Sequence, residues 1–166
     1  VDVEGAQRRH PPLVVLDPDG VFPRRREHVD PPVPGGELAG VRVLAPATVA
    51  ALSVNHTGDE PSSSWAYTED MRGWEPFPAN LGLGFYVRGE GVFPTFFGQL
   101  ASPATFGGLG AGSTAFWVDP VRDLTYAFLS SGLMEDSHSL ERHQRLADLV
   151  HAACLDAAPE CEHEDH

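Results

Sequence analysis

Ser113-Thr-Ala-Phe-Trp-Val118, Asp119-Pro-Val-Arg-Asp123 and Leu124-Thr-Tyr-Ala-Phe-Leu129 follow one another in a single stretch. Two short runs rich in aromatic and β-branched residues thus flank a five-residue segment of turn chemistry. Such side chains suit a half-buried pleated surface, and Asp and Pro favour tight reversal, so the stretch predicts a β-hairpin. Working outward, Leu81-Gly-Leu-Gly-Phe-Tyr-Val-Arg88 places large apolar residues at 81, 83, 85 and 87, the period of a half-buried strand. Val92 to Leu100 reads as a second strand, with Pro94 pointing to an edge or bent position. Downstream, a helix is expected from Leu140 to Ala157. Leu146, Leu149, Val150, Ala153 and Cys154 recur on one helical face, and Pro159 stops it. Upstream, Pro46 opens a short helix through Leu52, because proline is tolerated at the first helical position. Asn55 to Asn80 reads as a long loop. Its Trp65, Tyr67, Trp74 and Phe77 either form a binding surface or pin the loop to the core. The order of elements predicts an α+β fold, an antiparallel sheet with a flanking C-terminal helix.

The 166 residues are enough for one domain with a real core. Residues 1–35 are an irregular Pro/Arg-rich segment, in which Leu13-Val-Val-Leu16 is the one strand candidate and Arg24-Arg25-Arg26 is a docking patch or a solvated turn. Residues 36–158 form the domain, and 159–166 an acidic tail. Lys+Arg is 11 against Asp+Glu 24, a formal net charge of −13. Nucleic acid and anionic membranes need a basic footprint and are excluded as partners on that balance. All the cations are arginine, which removes Walker phosphate loops, Schiff bases and Ser-x-x-Lys nucleophiles. No run approaches the ~20 apolar residues of a membrane span. The start, Val1 to Gln7, lacks the basic and apolar regions of a signal peptide, so a cytoplasmic location is expected. Cys154 and Cys161 could pair, or stand as two free thiols; the cytosolic reading favours the thiols.

The sharpest local feature is Phe106-Gly-Gly-Leu-Gly-Ala-Gly-Ser113. Gly110-x-Gly112-x-x-Ala115 has the spacing of a dinucleotide fingerprint, which needs a helix behind it to receive the pyrophosphate. Here strand and turn residues follow, so no cofactor is expected. The run is either a tight bend or bulge, or a loop-to-strand segment that brings backbone N–H groups against a ligand oxygen. Cys154, Cys161, His163 and His166 offer zinc-type ligands at none of the usual spacings, and no metal is expected. His143 and His151 stand two turns apart on the last helix, by default on its solvated face. No Gly-x-Ser-x-Gly elbow occurs.

In order along the chain, five pieces resemble the C-terminal part of the β-lactamase-like serine hydrolases, the class C β-lactamases with their penicillin-binding-protein-like esterase and acyltransferase relatives. Gly36-Glu-Leu-Ala-Gly-Val-Arg-Val-Leu-Ala-Pro-Ala-Thr-Val-Ala-Ala-Leu52 looks like that family's Gly-Gly-Glu-Leu segment, ending near Asn55-His56. Leu81-Gly-Leu-Gly-Phe-Tyr86 resembles its Gly-Leu-Gly strand, and Phe106–Ser113 with Phe116-Trp-Val-Asp-Pro-Val-Arg-Asp-Leu124 its third active-site motif and the hairpin behind it. The last helix is expected there too. The resemblance runs over roughly residues 36–155. It implies acyl transfer through a serine in Ser-x-x-Lys, with a tyrosine as general-base partner and an oxyanion hole beside the third motif. Position by position, that motif falls on Gly108-Leu109-Gly110, where Gly108 stands in place of Lys or His, and the oxyanion backbone N–H falls on Ala111.

Two motifs of the family are missing from these residues. A chain without lysine holds no Ser-x-x-Lys, and Tyr67, Tyr86 and Tyr126 begin no Tyr-x-Asn or Tyr-x-Ser. The resemblance therefore implies an incomplete serine hydrolase, inactive alone. It would supply the oxyanion side (Ala111) and substrate-binding positions (Gly108, Leu109, Gly110, Trp117), with Trp65 and Trp74 as further apolar candidates. Its partner would be a complementing hydrolase chain or a second copy. The alternatives are a non-catalytic binding module built on the remnant sheet, and a degraded product that folds poorly.

Overall fold

A computed structural model describes residues 13–16, 36–38, 40–111 and 113–155. In chain order its elements are β1 (Leu13–Leu16), β2 (Glu37–Leu38), β3 (Val41–Arg42), α1 (Pro46–Leu52), α2 (Ala66–Arg72), β4 (Tyr86–Val87), β5 (Phe106–Gly110), β6 (Thr114–Asp119), β7 (Leu124–Phe128) and α3 (Asp136–Leu155). The main sheet has the order β1-β7-β6-β5-β4, while β2 and β3 form a separate ribbon. Pairing is antiparallel from β4 to β7, and β1 joins the far edge parallel to β7. The fold is α+β, as the order of sequence patterns predicts.

The predicted hairpin forms, with Asp119 paired to Leu124 at its closed end. Its turn is organised by one buried carboxylate. Asp119 accepts from the Val121 and Arg122 N–H groups, each at 3.1 Å, and from the Arg122 guanidinium at 3.0 Å. The same carboxylate holds the chain before β5, through the Ser102 hydroxyl at 2.7 Å and its N–H at 3.0 Å. Burial alone would push the Asp119 carboxyl up; these donors outweigh it and hold it below the usual carboxylate range.

On the α3 side of the sheet, Trp117 stacks with Tyr126 at 4.9 Å and with His151 at 4.6 Å. Leu124, Leu140, Ala147, Phe96 and Phe97 complete the centre of the core. Each such leucine or phenylalanine side chain stabilises the fold by ~1.5–3 kcal/mol when fully buried. Glu135 caps α3, accepting from the N–H groups of Ser137 (3.0 Å) and His138 (3.2 Å) and from the Ser137 hydroxyl.

Four expectations are corrected. Leu81 to Arg88 is no continuous strand. Only Tyr86–Val87 pairs with β5, because the chain folds back on itself between Leu81 and Tyr86. Gly84 takes φ +88° there, and a Cβ on Gly82 would overlap the Leu52 carbonyl oxygen. Val92 to Leu100 is irregular backbone rather than a strand, since its donors are taken by α3 side chains. Gln144 accepts from Thr95 N–H at 3.0 Å, and Asp148 from the N–H groups of Gln99 and Leu100 at 2.6 and 3.1 Å. The 55–80 loop contains α2, closed by Gly73 at φ +63°. Here Trp65 and Phe77 are core residues and Tyr67 is exposed, so most of the aromatic set pins the segment.

The fourth correction concerns α3, which starts four residues before the expected Leu140. Its inward stripe is Leu140, His143, Ala147 and His151, at spacings of three and four. Of the expected face, Leu146 and Val150 pack against the core, whereas Leu149 is 67% exposed and Ala153 also faces out. The two histidines are fully buried rather than solvated. The Cys154 side chain, Cys161, His163, His166 and the Arg24-Arg25-Arg26 run lie outside the described residues.

Candidate functional site

The glycine-rich run is itself a strand. Gly107, Gly108, Leu109 and Gly110 pair with Trp117, Phe116, Ala115 and Thr114 of β6. Gly107 is glycine because the sheet is too close for a side chain: a Cβ there would overlap the Phe116 carbonyl oxygen and lie 2.7 Å from Trp117 Cα. No helix follows, which removes the arrangement a dinucleotide needs.

The other edge of β5 is only partly covered. Thr105 accepts from Arg88 N–H at 2.8 Å, and β4 ends opposite Gly107 and Phe106. Backbone groups alternate in direction along a strand, so with the Thr105 carbonyl bonded to Arg88 and Gly107 opposite Tyr86, Gly107 and Leu109 turn their N–H and C=O toward the β4 side. Leu109 therefore presents both groups to an edge that has no partner strand among the described residues. Immediately beyond, Ala111 is exposed in the turn, and among the described residues no hydrogen bond uses its N–H. An open edge beside a free amide can pair with an extended acyl chain and polarise its carbonyl.

The turn ends on Ser113, which is buried with φ +57°. Its N–H donates to Gly110 O at 3.0 Å, and its hydroxyl accepts from Met134 N–H at 2.9 Å. Its carbonyl oxygen accepts from Arg142 at 2.9 Å, the Ser130 hydroxyl at 3.1 Å and His143 Nε2 at 3.2 Å. A carbonyl only accepts, so His143 carries its proton on Nε2. Among the described residues its Nδ1 has no hydrogen-bond partner. Burial, with the Arg142 charge beside it, lowers the His143 pKa to about 4.

No catalytic triad is assembled among these groups. His143 meets the carbonyl of Ser113, not its hydroxyl, and no carboxylate reaches its Nδ1. Ser102 and Asp119 bond directly, without a histidine between them. Among the described residues no three His, Cys, Asp or Glu side chains gather as a metal site, and no helix is long and apolar enough to cross a membrane.

The structure thus brings Leu109 and Ala111 to one edge and turn, whereas Gly108 and Gly110, in the same strand, direct their backbone groups to β6. Trp117 points elsewhere, fully buried between sheet and helix, with no free surface for a ligand. Trp65 is a core residue as well, and Trp74 packs against that core under the Arg72 guanidinium at 5.9 Å. Sequence reading missed Ser113, Arg142 and His143 as a group. The 140, 143, 147, 151 spacing is the available signal, masked by histidine's default place on a surface.

No protein-family model matches the sequence. A 53-residue stretch, 32% of this chain, is 42% identical to a putative D-alanyl-D-alanine carboxypeptidase of Escherichia coli K12. The structure resembles a β-lactamase from Mycobacterium bovis with a TM-score of 0.53 and 24% identity, over 67% of this chain. Over part of its length, the chain is related to the β-lactamase and penicillin-binding-protein-like proteins. The matches take in 12% of the carboxypeptidase and 38% of the β-lactamase, so the relationship concerns a portion of those proteins.

Proposed function

We propose that this chain is the sheet and C-terminal-helix portion of a β-lactamase-like serine hydrolase, catalytically incomplete in these 166 residues. Its role is to supply the edge and the polarising amide for acyl transfer from an ester, amide or lactam. The single observation that carries this reading is the edge at Leu109, unpaired among the described residues, running into the exposed Ala111 turn. The carboxypeptidase relative suggests a short peptide ending in D-alanine as one substrate class. The absence of lysine carries the incompleteness, because removing a nucleophile leaves at most the residual catalysis of a polarising pocket.

The test is reconstitution. The purified chain is treated with a fluorophosphonate and weighed intact, alone and after mixing with a helical portion of a relative that bears Ser-x-x-Lys. The chain alone takes no adduct, and the mixture gains esterase or β-lactamase turnover. Ala111→Pro, which deletes the amide donor, lowers that turnover by ~10²–10³. Undiminished turnover in that variant overturns the site, and a stoichiometric adduct on the chain alone overturns the incompleteness. Association without any gain in turnover favours a binding module instead.

A further inference from the structure

The geometry points to a latch in which His143 and Arg142 of α3 hold the β5–β6 turn through the Ser113 carbonyl, making His143 a positioning residue for the Ala111 segment. Three donors converge on that one oxygen, from Ser130 in the segment after β7 and from two successive residues of α3. Two acceptor directions serve three donors, one of them cationic, so the carbonyl is gripped harder than an ordinary turn needs. Ser113 sits at φ +57°, a conformation that costs a non-glycine residue energy and persists only when its surroundings enforce it. Its hydroxyl adds a fourth tie, to Met134 N–H just before α3.

The helix end of the latch is backed by one ring. Phe128 of β7 receives the Arg142 guanidinium at 4.9 Å and the His143 imidazole edge-on at 5.1 Å. Both donors are therefore fixed by the core, and the turn is fixed by them. A shift of α3 along the sheet would move the Ser113 carbonyl and, two residues earlier, the Ala111 amide. The consequence for acyl chemistry rests on the reading of that amide as an oxyanion donor; the latch itself does not.

The experiment reads the turn directly, by amide hydrogen exchange and ring-nitrogen NMR of the whole chain. His143→Leu fills the space without a donor, whereas His143→Gln keeps an N–H. In His143→Leu the Ser113 and Met134 amides exchange about tenfold faster than in His143→Gln, the weight of one hydrogen bond, while the Tyr126 amide differs little between the two. Equal acceleration at Tyr126, or no rescue by Gln, overturns the latch. Should the Leu variant fail to fold, the wild-type imidazole still decides: its Nε2 resonates as a protonated nitrogen and its Nδ1 as a bare one. The opposite tautomer, or an averaged pair of signals, overturns the proposal. Failure of reconstitution with these signatures intact removes the acyl-transfer reading alone.

Discussion

Phe116 and Trp117 are neighbours in β6 and point to opposite faces of the same sheet. Trp117 is wholly buried under α3, whereas Phe116 is 42% exposed on the outer face, where it meets Phe85 edge-on at 5.9 Å. Phe85 also packs on Phe106 at 5.7 Å, so the outer face carries a small aromatic cluster of its own. The difference teaches that one face is sealed by elements of this chain and the other is only partly covered by its described residues. Trp117→Ala is expected to cost ~3–5 kcal/mol, and Phe116→Ala less than ~1 kcal/mol, in urea unfolding. Comparable costs would break the comparison and imply that a second copy or another chain covers the outer face. Sedimentation of the two variants would then reveal it.

Acid should separate the faces next, because both buried histidines lie on the α3 side. Burial first, and the neighbouring Arg142 charge second, take His143 from 6.5 to about 4. His151 is lowered in the same sense by burial; around it, Asp119 of β6 and Asp148 of α3 favour its charge, and Arg122 of the hairpin turn opposes it. A histidine depressed in the folded state binds its proton first in the unfolded state. Its contribution is therefore full above 6.5 and is lost as pH falls toward 4. For His143 this amounts to about 3 kcal/mol, with His151 adding in the same direction. Urea midpoints measured between pH 7 and 4 should fall, and His143→Gln should flatten part of that fall. A midpoint independent of pH over this interval would remove the buried neutral histidines from the account.

Legibility in the sequence followed the range of the interactions. The hairpin and α1 rest on neighbours within a few residues: β-branched and aromatic side chains beside Asp119-Pro120 turn chemistry, and Pro46 at a first helical position, whereas the glycine-rich run read as a bend or a loop-to-strand segment and is strand β5. The missed elements rest on distant partners. Val92 to Leu100 has strand-like composition, yet Gln144 and Asp148 of α3 take its backbone donors and keep it irregular. In α3, the apolar count picked Leu149 and Ala153, whereas His143 and His151 were buried by ring packing onto Phe128 and Trp117. The positions of the candidate site came from motif resemblance. What holds its turn, the Ser113 carbonyl with its donors from Ser130 and α3, joins residues 17 to 30 apart and leaves no local mark in the sequence.

The smallest expected effect contrasts two adjacent glycines, one on each face. A methyl at Gly107 points to the α3 face, where it overlaps the Phe116 carbonyl and lies 2.8 Å from Trp117 Cβ. Those atoms belong to a paired strand and cannot move independently, so Gly107→Ala should cost ~1–3 kcal/mol. A methyl at Gly108 points to the outer face and meets Phe116 Cε1 at 2.9 Å, the edge of a half-exposed ring. That ring can turn into open space, so Gly108→Ala should cost no more than ~0.5 kcal/mol, as at an ordinary surface position. The pair isolates the faces more sharply than the aromatic deletions, because each variant replaces one hydrogen by the same methyl group in the same strand. A large cost at Gly108 would mean that Phe116 is held in place, and the outer face would then be a packed surface in solution rather than an open one.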